Sequence, residues 1–122
     1  MYSNTRRFLE NYYECFFDSE IIKDSLEDIN KLQEDVYGKL VHFHLMNHDE
    51  QVDHVSKLTD LLDKQRIMYT RLSLSDDPDA VIMKESLNKT VTMMGYPEGT
   101  DIAVLFQNMH ATIEALKEFL ET

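Results

Sequence analysis

The sequence predicts an all-α protein. The expected architecture is a compact bundle of about four helices, preceded by a short N-terminal amphipathic segment. Two long helices should form an antiparallel hairpin, and two shorter helices should follow toward the C-terminus. Three observations predict this. Only 3 glycines and 2 prolines serve 122 residues, too few for the turns of an all-β chain. Large apolar residues recur at spacings of three and four along most of the chain, which places them on one face of a helix. Turn formers gather at Asp18-Ser19, Asn47-His48-Asp49, Ser75-Asp76-Asp77-Pro78 and Gly95-Tyr96-Pro97-Glu98-Gly99-Thr100. These breaks mark off one helical domain over residues 16–122, with residues 1–15 as an extension ahead of it.

In the extension and just beyond it, Phe8, Leu9, Tyr12, Tyr13, Phe16 and Phe17 repeat at helical spacing. Groups of that size do not stay in water, so they pack on the bundle or bind something. The first long helix opens at Asp18-Ser19-Glu20 and carries Ile22, Leu26, Ile29, Leu32, Val36, Leu40 and Phe43. Gly38 is a weak point inside it, costing about 1 kcal/mol relative to alanine. The second long helix starts near Asp49 and carries Val52, Val55, Leu58, Leu62, Tyr69 and Leu72. The short connection around Met46 to His48 makes the pair a hairpin, with helices of roughly 35–40 Å at ~1.5 Å per residue.

The third helix runs from Pro78 to Met94. Proline at its first position gives up only an N–H that has no helical partner. Asp77 suits the cap, and Asp76, Asp77 and Asp79 sit at the positive end of the helix dipole. Gly95 supplies the left-handed residue that closes the helix, whose apolar face reads Val81, Leu87, Val91 and Met94. The fourth helix has the plainest signature. Ile102, Phe106, Met109, Ile113, Leu116 and Leu120 form a heptad-like seam, with Thr100 or Asp101 as its cap.

Composition narrows the function. The formal net charge is −11, from 12 basic and 23 acidic residues. That excludes non-specific nucleic-acid binding, which needs basic surface to displace counterions, and argues against anionic membranes. At 43% hydrophobic residues the chain is too apolar for a solvated disordered acid. No apolar run approaches the ~18 residues of a membrane span. Glu10 and Glu14 fall where a signal peptide needs its apolar stretch. Cys15 is the one cysteine, so no intrachain disulfide can form. The expected location is the cytoplasm.

No catalytic constellation is visible. His44 and His48 are four apart, with Asp49, Glu50, Asp53 and His54 close behind. Yet no acid stands three residues before any histidine, as the Glu-x-x-His pattern of di-metal bundles requires. The His-Glu-x-x-His zinc pattern is missing as well. These histidines read as polar loop residues. Cys15 has no evident base to lower its pKa, and no glycine-rich phosphate loop occurs. No enzyme activity, metal or cofactor is expected.

Two groups are candidates for binding a partner. One is the aromatic set Phe8, Tyr12, Tyr13, Phe16 and Phe17. The other is cationic: Lys57, Lys64 and Arg71 lie seven apart in one stripe, with Arg66 nearby. Asp53–Lys57 and Asp60–Lys64 also make acid-first i,i+4 pairs, which explains two of these cations locally. The 7 methionines read first as adaptable core packing and second as a Met-rich groove.

Two stretches carry a resemblance. Phe16-Phe17-Asp18-Ser19-Glu20-Ile21, opening a helix, resembles the start of a small helical family found mainly in cyanobacteria and their phages, domain-of-unknown-function family 1825. Arg66-Ile67-Met68-Tyr69-Thr70-Arg71, then Leu74-Ser75-Asp76-Asp77, looks like that family's Tyr-Arg-x-Phe-x-x-Arg-x-x-Leu-Ser-Asp-Asp region. Met94-Gly95, Phe106, Met109 and Leu116-Lys117 follow in order, so the likeness spans about residues 16 to 120. It implies a compact all-helical cytoplasmic protein and supplies no catalytic residues.

The expected function is a non-enzymatic protein-binding or regulatory module acting on a bacterial host protein, carried by a cell or by a phage. A self-associating structural protein, hence a homo-oligomer, is one alternative. An acidic nucleic-acid mimic that fills a basic groove is the other. A protein partner is expected, and neither direct nucleic-acid contact nor a membrane.

Overall fold

The computed structural model describes residues 16–122. A short 3-10 turn, Phe16–Asp18, leads into helix α1 (Glu20–Leu40). A second such turn, Phe43–Leu45, connects to α2 (His48–Leu74), and α3 (Pro78–Met93) and α4 (Ile102–Glu121) follow. The described residues form an all-helical bundle and contain no strand. At ~1.5 Å per residue α1 is about 31 Å long and α2 about 40 Å. Gly38 is taken up within α1, which runs on to Leu40. The expected segment Phe8, Leu9, Tyr12 and Tyr13 lies outside the described residues.

The helix starts follow from the residues that precede them. The Asn47 side chain accepts the Glu50 backbone N–H while the Glu50 side chain accepts that of Asn47, a reciprocal capping box. Asp77 accepts the Asp79 N–H at 2.9 Å, with Pro78 at the first helical position. Asp101 accepts the Ala103 N–H at 3.0 Å. Gly95, at φ +99°, ends α3. A Cβ added there meets nothing within 4 Å, so Gly95→Ala tests the backbone alone. We expect it to lower unfolding free energy by about 1–2 kcal/mol, the cost of a left-handed L-residue, as read from urea denaturation.

The core is divided by α2. Val55 and Leu62 of α2 join Val91 of α3 and Ile102, Phe106 and Ile113 of α4 in the larger cluster. Leu61 of α2 joins Ile29 and Val36 of α1 in the smaller one. Adjacent leucines thus serve different helices, because 100° of rotation per residue turns Leu61 toward α1 and Leu62 toward α4. A helix covered on two sides has no single apolar stripe, so the face expected for α2 shifts; the faces of α1 and α3 also differ from expectation at single positions. Val52, Val81, Leu40 and Met94 are exposed, whereas Ala80 and His54 are buried. Ala80, Leu87 and Val91 form the inward row of α3. Its first member is small enough to be inconspicuous in the sequence.

Candidate functional site

The cationic stripe forms an ordered ladder. Lys57 Nζ lies 3.2 Å from Asp35 and 3.4 Å from Asp53. Lys64 Nζ lies 3.1 Å from Asp28 and 3.8 Å from Asp60. Arg71 donates to Ser25 Oγ at 3.3 Å, and Arg66 pairs with Asp63 at 3.5 Å. Residue numbers rise on α2 as they fall on α1, so the rungs establish the antiparallel hairpin directly. The hydrogen-bonded Asp35 carboxylate raises the Lys57 pKa, and Asp28 does the same for Lys64. Asp35 is itself held below the ordinary carboxylate range, by Lys39 first and then Lys57. Lys57 and Lys64 thus engage α1 as well as their own helix, in partly exposed pairs that contribute little individually and weaken with salt.

The histidines separate in space. His44 and His48 are exposed, while His54 is 2% exposed inside the bundle. Reading it as a polar loop residue is therefore corrected: it sits on α2 seven residues before Leu61 and fourteen before Met68, on the stripe that faces α1. That register was the available signal. Its ring lies 5.4 Å from the Phe43 ring, and neither imidazole nitrogen has a hydrogen-bond partner among the described residues. Burial, and secondarily the Lys39 charge, push its pKa down. A recess of about 100 Å³ lies beside it, lined by Lys39, Met46, Glu50, Asp53 and Lys57. Among the described residues no three His, Cys, Asp or Glu side chains gather as a metal would need.

The feature with the most capacity to bind is a groove of about 610 Å³. Leu26, Ile29, Gln33 and Tyr37 of α1 form one wall; Met83 and Leu87 of α3 and Met94 just past its end, with Leu105 and Met109 of α4, form the other. Gln65, Met68, Tyr69 and Leu72 of α2 also line it. Four of the seven methionines therefore converge here: Met68 of α2, Met83 of α3, Met94 at the cap that ends α3, and Met109 of α4. Among the described residues, no Asp, Glu, Lys, Arg or His lines it. Tyr37, Met83, Met94 and Met109 are exposed, so the groove opens to solvent. Met109 belongs to the predicted α4 seam, yet it faces this groove. Sequence spacing could not separate a methionine in the core from one on a groove wall.

Phe16 and Phe17 line the groove as well. Their rings meet edge to face at 5.0 Å. The Phe16 backbone N–H donates to Asp77 Oδ2 at 2.6 Å, so the residue that caps α3 also holds the chain where it enters the bundle. Of the sequence candidates, Phe16 and Phe17 thus meet at the groove, and Lys57, Lys64 and Arg71 meet on the ladder. Lys64 and Arg71 also line a smaller cleft of about 190 Å³ with Ser25, Asp28, Ile29, Ile67 and Met68. Phe8, Tyr12 and Tyr13 lie outside the described residues.

No helix among the described residues is long and apolar enough to cross a membrane. The chain belongs to a family described as domain of unknown function (DUF1825), whose profile matches residues 14–120. No curated protein and no solved structure matches it.

Proposed function

We propose that this member of the DUF1825 family is a non-enzymatic protein-binding module whose groove accepts the apolar face of a helix from a bacterial partner protein. The observation that carries this reading is the convergence of Met68, Met83, Met94 and Met109 on one open, uncharged groove. Methionine is unbranched and polarisable, so a wall built from it moulds to differing side chains, as helix-binding grooves do. A groove whose described lining carries no Asp, Glu, Lys, Arg or His offers little for acid–base chemistry beyond the phenols of Tyr37 and Tyr69, but it offers apolar burial at about 25 cal/mol per Å². The net charge of −11 favours encounter with a partner that is basic around its apolar stripe.

A designed Leu/Lys amphipathic helix is the probe. Its addition should perturb the methyl signals of the groove methionines saturably, while exposed Met93, which does not line the groove, responds little. Met109→Glu changes an exposed position and should leave the fold intact. It should weaken the probe roughly tenfold or more, since burying a methionine is worth ~1.5–3 kcal/mol. Equal affinity for the parent and for Met109→Glu would remove the groove as the docking surface.

A further inference from the structure

We infer that the last rung of the ladder is a docking surface in its own right, one that takes a partner helix bearing a carboxylate between two leucines. It lies apart from the groove: Ile29 and Met68 line both the groove and the cleft beside Arg71, and so divide them.

The first support is where the ladder breaks. Lys57 and Lys64 each have two acidic partners, one four residues earlier on α2 and one across on α1. Position 57 faces 35 and position 64 faces 28, so the next step along both helices brings 71 to 21. Both places that would hold an acid for Arg71 hold isoleucine instead, Ile67 on its own helix and Ile21 across. Arg71 reaches only a neutral hydroxyl, Ser25 Oγ at 3.3 Å. Among the described residues no carboxylate forms an ion pair with it.

The second support is what surrounds the cation. Ile21 is 65% exposed and Ile67 51%, and Leu74 is exposed as well. Ile67 and Leu74 stand one turn to either side of Arg71, at i−4 and i+3, so the three share one helix face. Single exposed aliphatics are ordinary, but three grouped about one arginine are not simply a solvated surface. Arginine within an apolar collar is what the centre of a protein interface offers, because the collar keeps water off the pair formed there.

The third support is charge. Of the charged residues that line the cleft, Lys64 and Asp28 satisfy each other, which leaves the single positive charge of Arg71. One carboxylate completes it, and a guanidinium matches a carboxylate with two parallel hydrogen bonds. A phosphate would set its second negative charge against Asp28. The chain's net −11 repels an acidic partner from afar, but physiological salt confines that repulsion to about 8 Å, so the rung acts at contact. A helix patterned Leu-x-x-x-Glu-x-x-Leu repeats the spacing of Ile67, Arg71 and Leu74, and sets its carboxylate between two aliphatic groups.

The test uses the full chain and a labelled helical peptide with that pattern on one face and neutral polar residues elsewhere. Fluorescence anisotropy should show saturable binding, about tenfold weaker once Gln replaces the peptide's Glu. Arg71→Gln, at an exposed position, should weaken the Glu peptide by the same factor and leave the Gln peptide unchanged. Arg71→Glu should bind the Lys version of the peptide more tightly than the parent does, a gain that a merely unfolded variant could not show. Equal binding of the Glu and Gln peptides by the parent, or no saturation by about 1 mM, overturns the inference. So does binding that is lost in Met109→Glu and kept in Arg71→Gln, which would put the peptide in the groove. A parent that sediments as a dimer and becomes monomeric in Arg71→Gln would assign the surface to a second copy and overturn it too. The Leu/Lys helix should bind the parent and Arg71→Gln alike, so this surface and the groove stand or fall separately.

Discussion

Leu62→Ala should remove about 2–5 kcal/mol of stability, the range for deleting a buried leucine and leaving a cavity. Leu62 is 3% exposed and lies in the cluster shared by α2, α3 and α4, so no single neighbour can collapse into the space. A domain of this size holds only about 5–15 kcal/mol in total, so the variant sits near the edge of folding. Leu74, on the same helix but 80% exposed, is the matched control. Its alanine variant should stay within about 0.5 kcal/mol of the parent. Urea midpoints of the three chains decide the matter, and equal losses at both positions would contradict the burial pattern.

The second large effect is a dependence on pH. Folding holds the His54 pKa below its ordinary value, because burial disfavours the imidazolium and the Lys39 charge adds to the penalty. Lys57 acts in the same direction, and the carboxylates of Asp35 and Asp53 oppose it only in part. The unfolded chain therefore binds the proton more readily, with its histidine titrating near ~6.5. Stability is complete above that pH and falls as pH drops through it toward the folded value. Leaving the neutral ring's buried nitrogens unpaired already costs about 1–3 kcal/mol. His54→Leu should therefore be at least as stable as the parent near neutrality. Denaturation midpoints compared between about pH 7 and about pH 5 should show the parent losing more than His54→Leu. Parallel pH profiles for the two chains would rule out His54 as the source.

Much of the fold was legible because helices announce themselves by spacing and by their ends. The α4 seam, Pro78 at the start of α3, Asp77 and Asp101 as caps, and Gly95 as terminator are local features, and local rules read them. What stayed hidden depends on neighbours. Leu61 beside Leu62 marks a helix covered on two sides, and a search for one face passes over it. His54 shares the row of Leu61 and Met68, but its polarity directed attention to the loops. The Lys57–Lys64–Arg71 stripe was visible, and its second set of partners on α1, Asp35, Asp28 and Ser25, was not, because nothing in α2 encodes them. The groove is the extreme case: its methionines are spread from Met68 to Met109 and share nothing in sequence. Only the packing of four helices brings them together.

The division of the core by α2 also makes the molecule unevenly durable. α1 is held by the smaller cluster of Ile29, Val36 and Leu61 and by partly exposed ionic rungs, whereas α3 and α4 share the larger cluster with α2. Cooperative units with fewer buried contacts open at lower free energy than the whole molecule. The amide protons of α1 should then be replaced by deuterium sooner than those of α4, and sooner still as added salt screens the rungs. Because α1 supplies one wall of the groove, the most loosely held of the four described helices is also its door.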